Sequence, residues 1–286
     1  WGCSLNLKEE ELEVAKGLFP FALTNAQSDA LWEIYQGLNS SHQYCGLIQG
    51  DVGCGKTAIA IAVSHMVIKK KKQICLMAPT EILAQQLHHA FVDVFGDMQV
   101  ALLSSSTDTK SRNQILMQLE NHNLSILIGT HSVLHDDVQF ADIGLAIIDE
   151  QHRFGVEQRN KLLHKKDGLD MLALSATPIP RSLVRSFYGD LDSVVIGAKP
   201  ANRQEIITRL VGTSKRQEMI SWLYKESQNE NRIFWVVPRV EEDPTAPSVE
   251  SVYQELINLK YDWSIGFIHG KLPEDEKIQV LNDFRS

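Results

Sequence analysis

Gly50-Asp51-Val52-Gly53-Cys54-Gly55-Lys56-Thr57 separates a short apolar run, 45–49 (CGLIQ), from a stretch, 58–68, that is apolar nearly all round. The run reads as a buried strand and the stretch as a deeply buried helix. The eight residues between them fit G-x-x-x-x-G-K-T in the strand-then-helix setting that motif requires. Its glycines let backbone N–H groups turn inward around phosphate oxygens. The start of the following helix adds partial positive charge there. Lys56 is placed to reach the β/γ-phosphates of a nucleotide, and the Thr57 hydroxyl to ligate Mg²⁺.

Outward from that turn, five more runs read as strands: 74–78, 100–103, 125–129, 144–148 and 171–176. Most are apolar on both faces, as strands of a helix-covered parallel sheet must be. Leu83, Leu87, Phe91 and Phe95 repeat at four-residue steps and mark one helical face. Strand–helix alternation over 44–197 predicts a doubly wound α/β domain with ligands at the carboxyl ends of its strands. A second, shorter alternation follows, with strands predicted at 206–211, 233–237 and 265–268 and helices at about 214–228, 248–260 and 274–285. Three strands alone leave apolar edges unpaired.

Asp149-Glu150 ends one of the apolar strands. Two carboxylates there are costly unless a cation or partner is near. Strand side chains alternate, so the two point differently. Asp149 is assigned to the metal and Glu150 to activation of the attacking water. Gln27 has two readings. Thr24-Asn25-Ala26-Gln27 is a capping box before the face Ala30, Leu31, Ile34, Leu38, and the spacing alone favours that helix start. The other reading is recognition of adenine by the glutamine amide, which offers a donor and an acceptor.

The chain has 286 residues, 43% hydrophobic and 22% charged, a globular balance that excludes disordered and fibrous classes. Its net charge of −8 gives no bulk attraction for nucleic acid, so any such contact rests on local sites. No run approaches a membrane-spanning length. Cys3, Cys45, Cys54 and Cys75 form no Cys-x-x-Cys pair, which argues against zinc and disulfides and for a reduced, cytosolic setting. The first residue is Trp1 and no signal segment is visible, so a piece of a longer gene product is expected.

Gly50–Thr57, Ala78–Gln86, Ile128–His131, Ile147–Arg159 and Ser175–Arg181 occur in an order that resembles the RecG family of ATP-dependent DNA helicases, within helicase superfamily 2. The run Asp149-Glu150-Gln151-His152-Arg153-Phe154-Gly155-Val156 is its sharpest marker. The resemblance implies a RecA-like P-loop domain at 21–198 after a lead-in at 1–20, a linker at 199–205 and a partial second RecA-like domain at 206–286. It implies ATP with Mg²⁺, and a cytoplasmic, monomeric motor that grips the DNA backbone at forks and branched junctions during repair and recombination.

Residue by residue, the resemblance makes Gly50, Asp51, Val52, Gly53, Cys54, Gly55, Lys56 and Thr57 the ATP turn. Gln27 becomes the adenine reader, which reverses the reading from spacing. Thr57 and Asp149 hold the metal, and Lys56, Glu150, Gln151 and His152 are catalytic. Ser175, Ala176 and Thr177 couple hydrolysis to DNA grip. Pro79, Thr80, Gly129, Thr130 and His131 contact DNA. The chemistry agrees, because hydroxyls and helix-start amides bind phosphates without reading bases. Lys69–Lys72 reads as a solvated helix end rather than a DNA patch.

Cys54 stands where the family usually has Ser. A thiol at a helix start has a lowered pKa in such settings, so a thiol reagent is expected to block nucleotide binding. The family's second-domain arginines and fork-binding wedge have no counterpart in these residues. The chain is therefore expected to bind Mg-ATP yet hydrolyse it weakly alone. The alternatives are a superfamily 2 translocase of the transcription-repair coupling type and a motor-dead nucleotide-binding fragment.

Overall fold

The structure is a computed structural model that describes residues 4–150, 156–177, 192–197, 206–229, 231–238 and 247–285. Gln151, His152 and the linker 199–205 lie outside the described residues. The chain divides into two compact units, Trp1–Arg203 and Gln204–Ser286.

The first unit is built on β1 (Cys45–Gln49), β2 (Gln73–Met77), β3 (Val100–Leu103), β4 (Ile126–Gly129), β5 (Ile143–Asp149), β6 (Asp170–Ser175) and β7 (Asp192–Val195). These form one seven-stranded sheet in the order β3-β4-β2-β5-β6-β1-β7. Every neighbouring pair is parallel. Parallel neighbours need crossovers, and α3 (Lys56–Lys69), α4 (Glu81–Phe95), α5 (Thr109–Glu120) and α6 (Val156–Leu163) supply four of them, while α1 (Glu9–Lys16) and α2 (Asn25–Leu38) precede β1 and join the same core. Ile74 and Leu76 enter the core beneath α1–α4, while Cys75 and Met77 enter the one beneath α5 and α6. A strand buried on both faces gains from apolar residues at every position, which is why the sequence runs lack alternation. Helix α3 buries Ile59 through Ser64 without a break, as its all-round apolar sequence requires.

Two elements differ from expectation. Residues of the 1–20 lead-in are integral to the core, with Leu5, Leu7, Leu12 and Ala15 buried. Asn39 clasps this segment from the end of α2, accepting from Leu7 N (2.6 Å) and donating to Leu7 O (3.2 Å). Strand β7 was not foreseen, because it is a four-residue edge strand that opens on the polar Asp192 and Ser193 and buries only Val194. The lysine run serves the fold: Lys70 pairs with Glu11 (3.0 Å) and Lys72 with Asp142 (2.5 Å).

The second unit contains α7 (Arg216–Gln228), α8 (Val249–Asn258) and α9 (Glu274–Arg285), with Ile220 of α7 packed on Val252 and Leu256 of α8. The strands expected at 206–211, 233–237 and 265–268 do not form. Trp235 and Val237 pack on the small core, while Phe234 and Val236 are 74% and 88% exposed. The alternation of a strand is present, but no ladder of hydrogen bonds joins these segments. Propensity makes a chain extended, whereas a strand exists only with a neighbour.

Asp170 opens β6 with its carboxyl buried, accepting the Tyr44 N–H at 2.8 Å. Burial outweighs that hydrogen bond and pushes its pKa up to about 7. The folded state therefore favours the protonated acid, so this stabilisation is full below the ordinary carboxylate pKa and is lost as pH rises through about 7. Asp170→Asn keeps the acceptor and removes the charge. Its melting temperature should exceed that of the unsubstituted chain by roughly 2–4 °C per 1 kcal/mol gained at pH 8, the scale for a unit the size of Trp1–Arg203, and by little at pH 5. Equal pH slopes for the two proteins would contradict this.

Candidate functional site

Sheet register aligns the strand ends. Gln49 of β1 pairs with Ser175 of β6, Leu174 with Asp149 of β5, Ile148 with Met77 of β2, and Met77 with Gly129 of β4. The segments carrying Gly50–Thr57, Asp149-Glu150, Ser175–Thr177, Pro79-Thr80 and Gly129–His131 thus leave one edge of one sheet. β1 and β5 are separated only by β6, which puts their ends about 10 Å apart.

The turn after β1 is held from several sides. Gly50 N donates to Ser175 O (3.2 Å), tying it to the end of β6. Gly53 and Gly55 adopt φ of 78° and 95°, a region that strains any residue with a Cβ. Gly55 caps α3, and Lys56 is the helix's first residue. The Lys56 ammonium donates to Gly50 O (2.7 Å) and Asp51 O (3.1 Å), folded back over its own turn.

Gln27 unites two roles. Its Oε1 accepts from Thr24 N (2.8 Å), which completes the capping box of α2. Its Nε2 donates to Cys54 O (2.8 Å), which braces the glycine turn from 27 residues away. A Cβ on Gly55 would overlap that amide nitrogen. Cys54 itself is 1% exposed, packed so that a Cβ on Gly50 would strike its sulfur. That burial opposes the expected attack by a thiol reagent.

Asp149 is half-buried at the end of β5, and its pKa is pushed up to about 6. Burial is the main cause and the Glu150 charge adds to it. The Glu150 N–H, donated to Asp149 Oδ1 at 3.1 Å, and the Lys56 charge pull the other way. Lys56 therefore acts electrostatically on Asp149. Glu150 adopts φ 51°, left-handed for a residue with a Cβ, at a cost on the order of 1–3 kcal/mol. A half-buried carboxylate beside a second acidic side chain is electrostatic stress that a cation relieves. Among the described residues no group of three or more His, Cys, Asp or Glu could hold a metal alone. Mg²⁺ does not need one, since it takes one or two protein oxygens together with phosphates and waters. Asp149 and the Thr57 hydroxyl fit that demand.

Ser175, Ala176 and Thr177 form a closed turn, with Ser175 Oγ donating to Thr177 O (3.1 Å) and Thr177 N donating to Ser175 Oγ (3.3 Å). Thr80 caps α4, its Oγ1 accepting from Leu83 N (3.3 Å). The Thr80 O–H remains a donor. Ala78 N donates to Gly129 O (2.8 Å), which joins the two segments assigned to DNA. A Cβ on Gly129 would overlap Leu103 O, so glycine is needed where β3 and β4 run closest. His131 begins a 3₁₀ turn, His131–Leu134, and is exposed. The sequence reading missed Glu81, whose carboxylate gathers the hydroxyls of Ser104 and Ser106. The serine run after β3 was the available signal.

Residues 24–186 match the family model described as DEAD/DEAH box helicase. A protein of Aquifex aeolicus named ATP-dependent DNA helicase RecG is 38% identical over 287 residues, covering 98% of this chain and 36% of that protein. The Bacillus subtilis protein of that name is 41% identical over 281 residues, covering 96% and 41%. The chain spans about two fifths of the length of these curated relatives. A solved structure of RecG bound to a three-way DNA junction superposes with a TM-score of 0.80 at 34% identity, over 99% of this chain and 37% of that one. The DEAD-box helicase Mss116 bound to ssRNA superposes with a TM-score of 0.67 at 18% identity, over 100% of this chain and 64% of that one, a likeness of fold.

The brace between Gln27 and the glycine turn predicts non-additive substitutions. Gly55→Ala should lower unfolding free energy in urea by about 1–3 kcal/mol, from strain and overlap together. Adding Gln27→Ala removes the overlap, so the double variant should lose less than the sum of the single losses. Fully additive losses would show that the two residues do not meet.

Proposed function

The chain belongs to the DEAD/DEAH box helicase family, and we propose that it is the ATP-binding motor portion of a RecG-type helicase that moves along DNA at branched junctions and stalled forks. The observation that carries this reading is the shared sheet edge, where the turn after β1, the Asp149 end of β5 and the Thr80 and Thr130 segments after β2 and β4 all leave neighbouring strands on one side.

ATP would settle its β/γ-phosphates on the N–H groups of Gly53–Thr57, and Lys56 would exchange the carbonyls of Gly50 and Asp51 for phosphate oxygens. Thr57 and Asp149 would hold Mg²⁺, which neutralises phosphate charge when bound. Glu150, turned aside by its left-handed backbone, would orient the attacking water. Gln27 can brace the turn and read adenine together: its second N–H and the second lone pair of Oε1 are left over after the contacts to Cys54 O and Thr24 N. Ser175 carries the coupling, because its carbonyl holds the first glycine of the turn while its side chain closes the Ser175–Thr177 segment.

DNA would be held by hydroxyls and helix-start amides at Thr80 and Thr130, contacts that ignore sequence, as stepping along any duplex requires. In the acidic chain these local donors must do the binding. Among the described residues no helix is long and apolar enough to cross a membrane.

The test is a pair of titrations. A fluorescent ATP analogue should bind the unsubstituted chain in Mg²⁺, and Lys56→Ala should weaken it at least about tenfold. A labelled junction and a labelled duplex of unrelated sequence should both lose affinity, to a similar degree, in the Thr80→Ala/Thr130→Ala variant. Loss confined to one base sequence, or nucleotide affinity indifferent to Lys56, would contradict the reading.

A further inference from the structure

The loop after β3 reads Ser104-Ser105-Ser106-Thr107 and leaves the sheet at the edge described above, since Leu103 pairs with Gly129 next to Thr130. Its hydroxyls do not face solvent water alone. Glu81, the residue after Thr80, reaches across to them from the first position of α4. Ser104 Oγ donates to Glu81 Oε1 at 2.6 Å, Ser106 Oγ donates to the same oxygen, and Ser105 Oγ lies 3.5 Å from Oε2. Ser104 is 5% exposed, and its backbone N–H is held by Thr107 Oγ1 (3.0 Å), which fixes the loop's start.

A carboxylate held by converging hydroxyl donors is the arrangement a phosphate oxygen would also adopt. Each serine has a single O–H, and Ser104 Oγ and Ser106 Oγ also lie 2.9 Å apart, so the two protons are shared among Glu81 and the hydroxyls themselves. We propose that Glu81 is an internal stand-in for a nucleic-acid phosphate on the Ser104–Ser106 hydroxyls, so that the DNA backbone and the Glu81 carboxylate compete for one anion site. The inference rests on the DNA reading above and deepens it. A motor that steps must release the strand it grips, and a tethered competitor weakens the grip at this one contact. Thr80, one residue away, works without such competition because its oxygen accepts from Leu83 N and its O–H stays available.

The test is a double-mutant cycle read by fluorescence anisotropy of a labelled mixed-sequence duplex. Glu81→Ala should tighten binding by about tenfold, the worth of a charged hydrogen-bond partner relieved of its competitor. In the Ser104→Ala/Ser106→Ala background the same substitution should give no gain. An ordinary surface carboxylate that merely repels a polyanion would give equal gains in both backgrounds, and that result overturns the proposal, as does any loss of affinity in Glu81→Ala. If the double serine variant does not melt cooperatively, Ser106→Ala alone, at an exposed position, should still reduce the gain, and an undiminished gain counts against the proposal. Failure of every variant to bind duplex would instead overturn the DNA reading itself.

Discussion

The arrangement depends on parallel register. In an antiparallel sheet, neighbouring strands would deliver their loops to opposite edges, and residues far apart in sequence would not meet. Here Gln49, Ser175 and Asp149 end strands in one row because β1, β6 and β5 run the same way. That constraint converts distant motifs into a single edge. It also explains the burial: helices must cross both faces to return the chain, so the strands that hold the site are apolar on both sides. A rigid, dry sheet is what allows a carboxylate at its end to sit partly out of water.

Opposed electrostatics then define the chemistry. Burial and Glu150 raise the pKa of Asp149, and Lys56 lowers it. The Glu150 backbone holds a conformation that costs energy, while the Lys56 ammonium rests on carbonyls of its own turn. On the proposed reading, a magnesium triphosphate would offer the Lys56 ammonium and the Asp149 carboxylate better partners than they have here. The turn itself is kept open by neighbours rather than by its own glycines alone, because Gln27 holds Cys54 O and Ser175 holds Gly50 N. Movement at either brace would reach the glycine turn directly, which would give the proposed coupling a physical route.

Much of this was legible in the sequence. β1 to β6 of the first unit were visible because buried parallel strands are written as continuous apolar runs. The glycine turn was visible because left-handed backbone at Gly53 and Gly55 demands that residue. Other features lacked a local signature. β7 is a short edge strand that opens on Asp192-Ser193 and buries one residue, a weak signal beside the long apolar runs. The embedding of Leu5 through Ala15 depends on Asn39 and on α3, which no window around those residues contains. The second unit shows the opposite error: Phe234–Val237 carries strand propensity and alternation, yet pairing is a tertiary fact that propensity does not supply. Gln27 was read as either a cap or a nucleotide contact, and the contact to Cys54 O is a third role that only folding reveals.

The central claim is that Lys56 and Asp149 serve the same nucleotide–metal complex. Calorimetric titration of ATP with and without Mg²⁺ on the unsubstituted chain and on Asp149→Asn tests it most directly. Asp149→Asn should erase the gain in ATP affinity that Mg²⁺ confers and leave metal-free binding intact. A magnesium dependence that survives the substitution unchanged would mean that the acidic strand end and the lysine turn work apart.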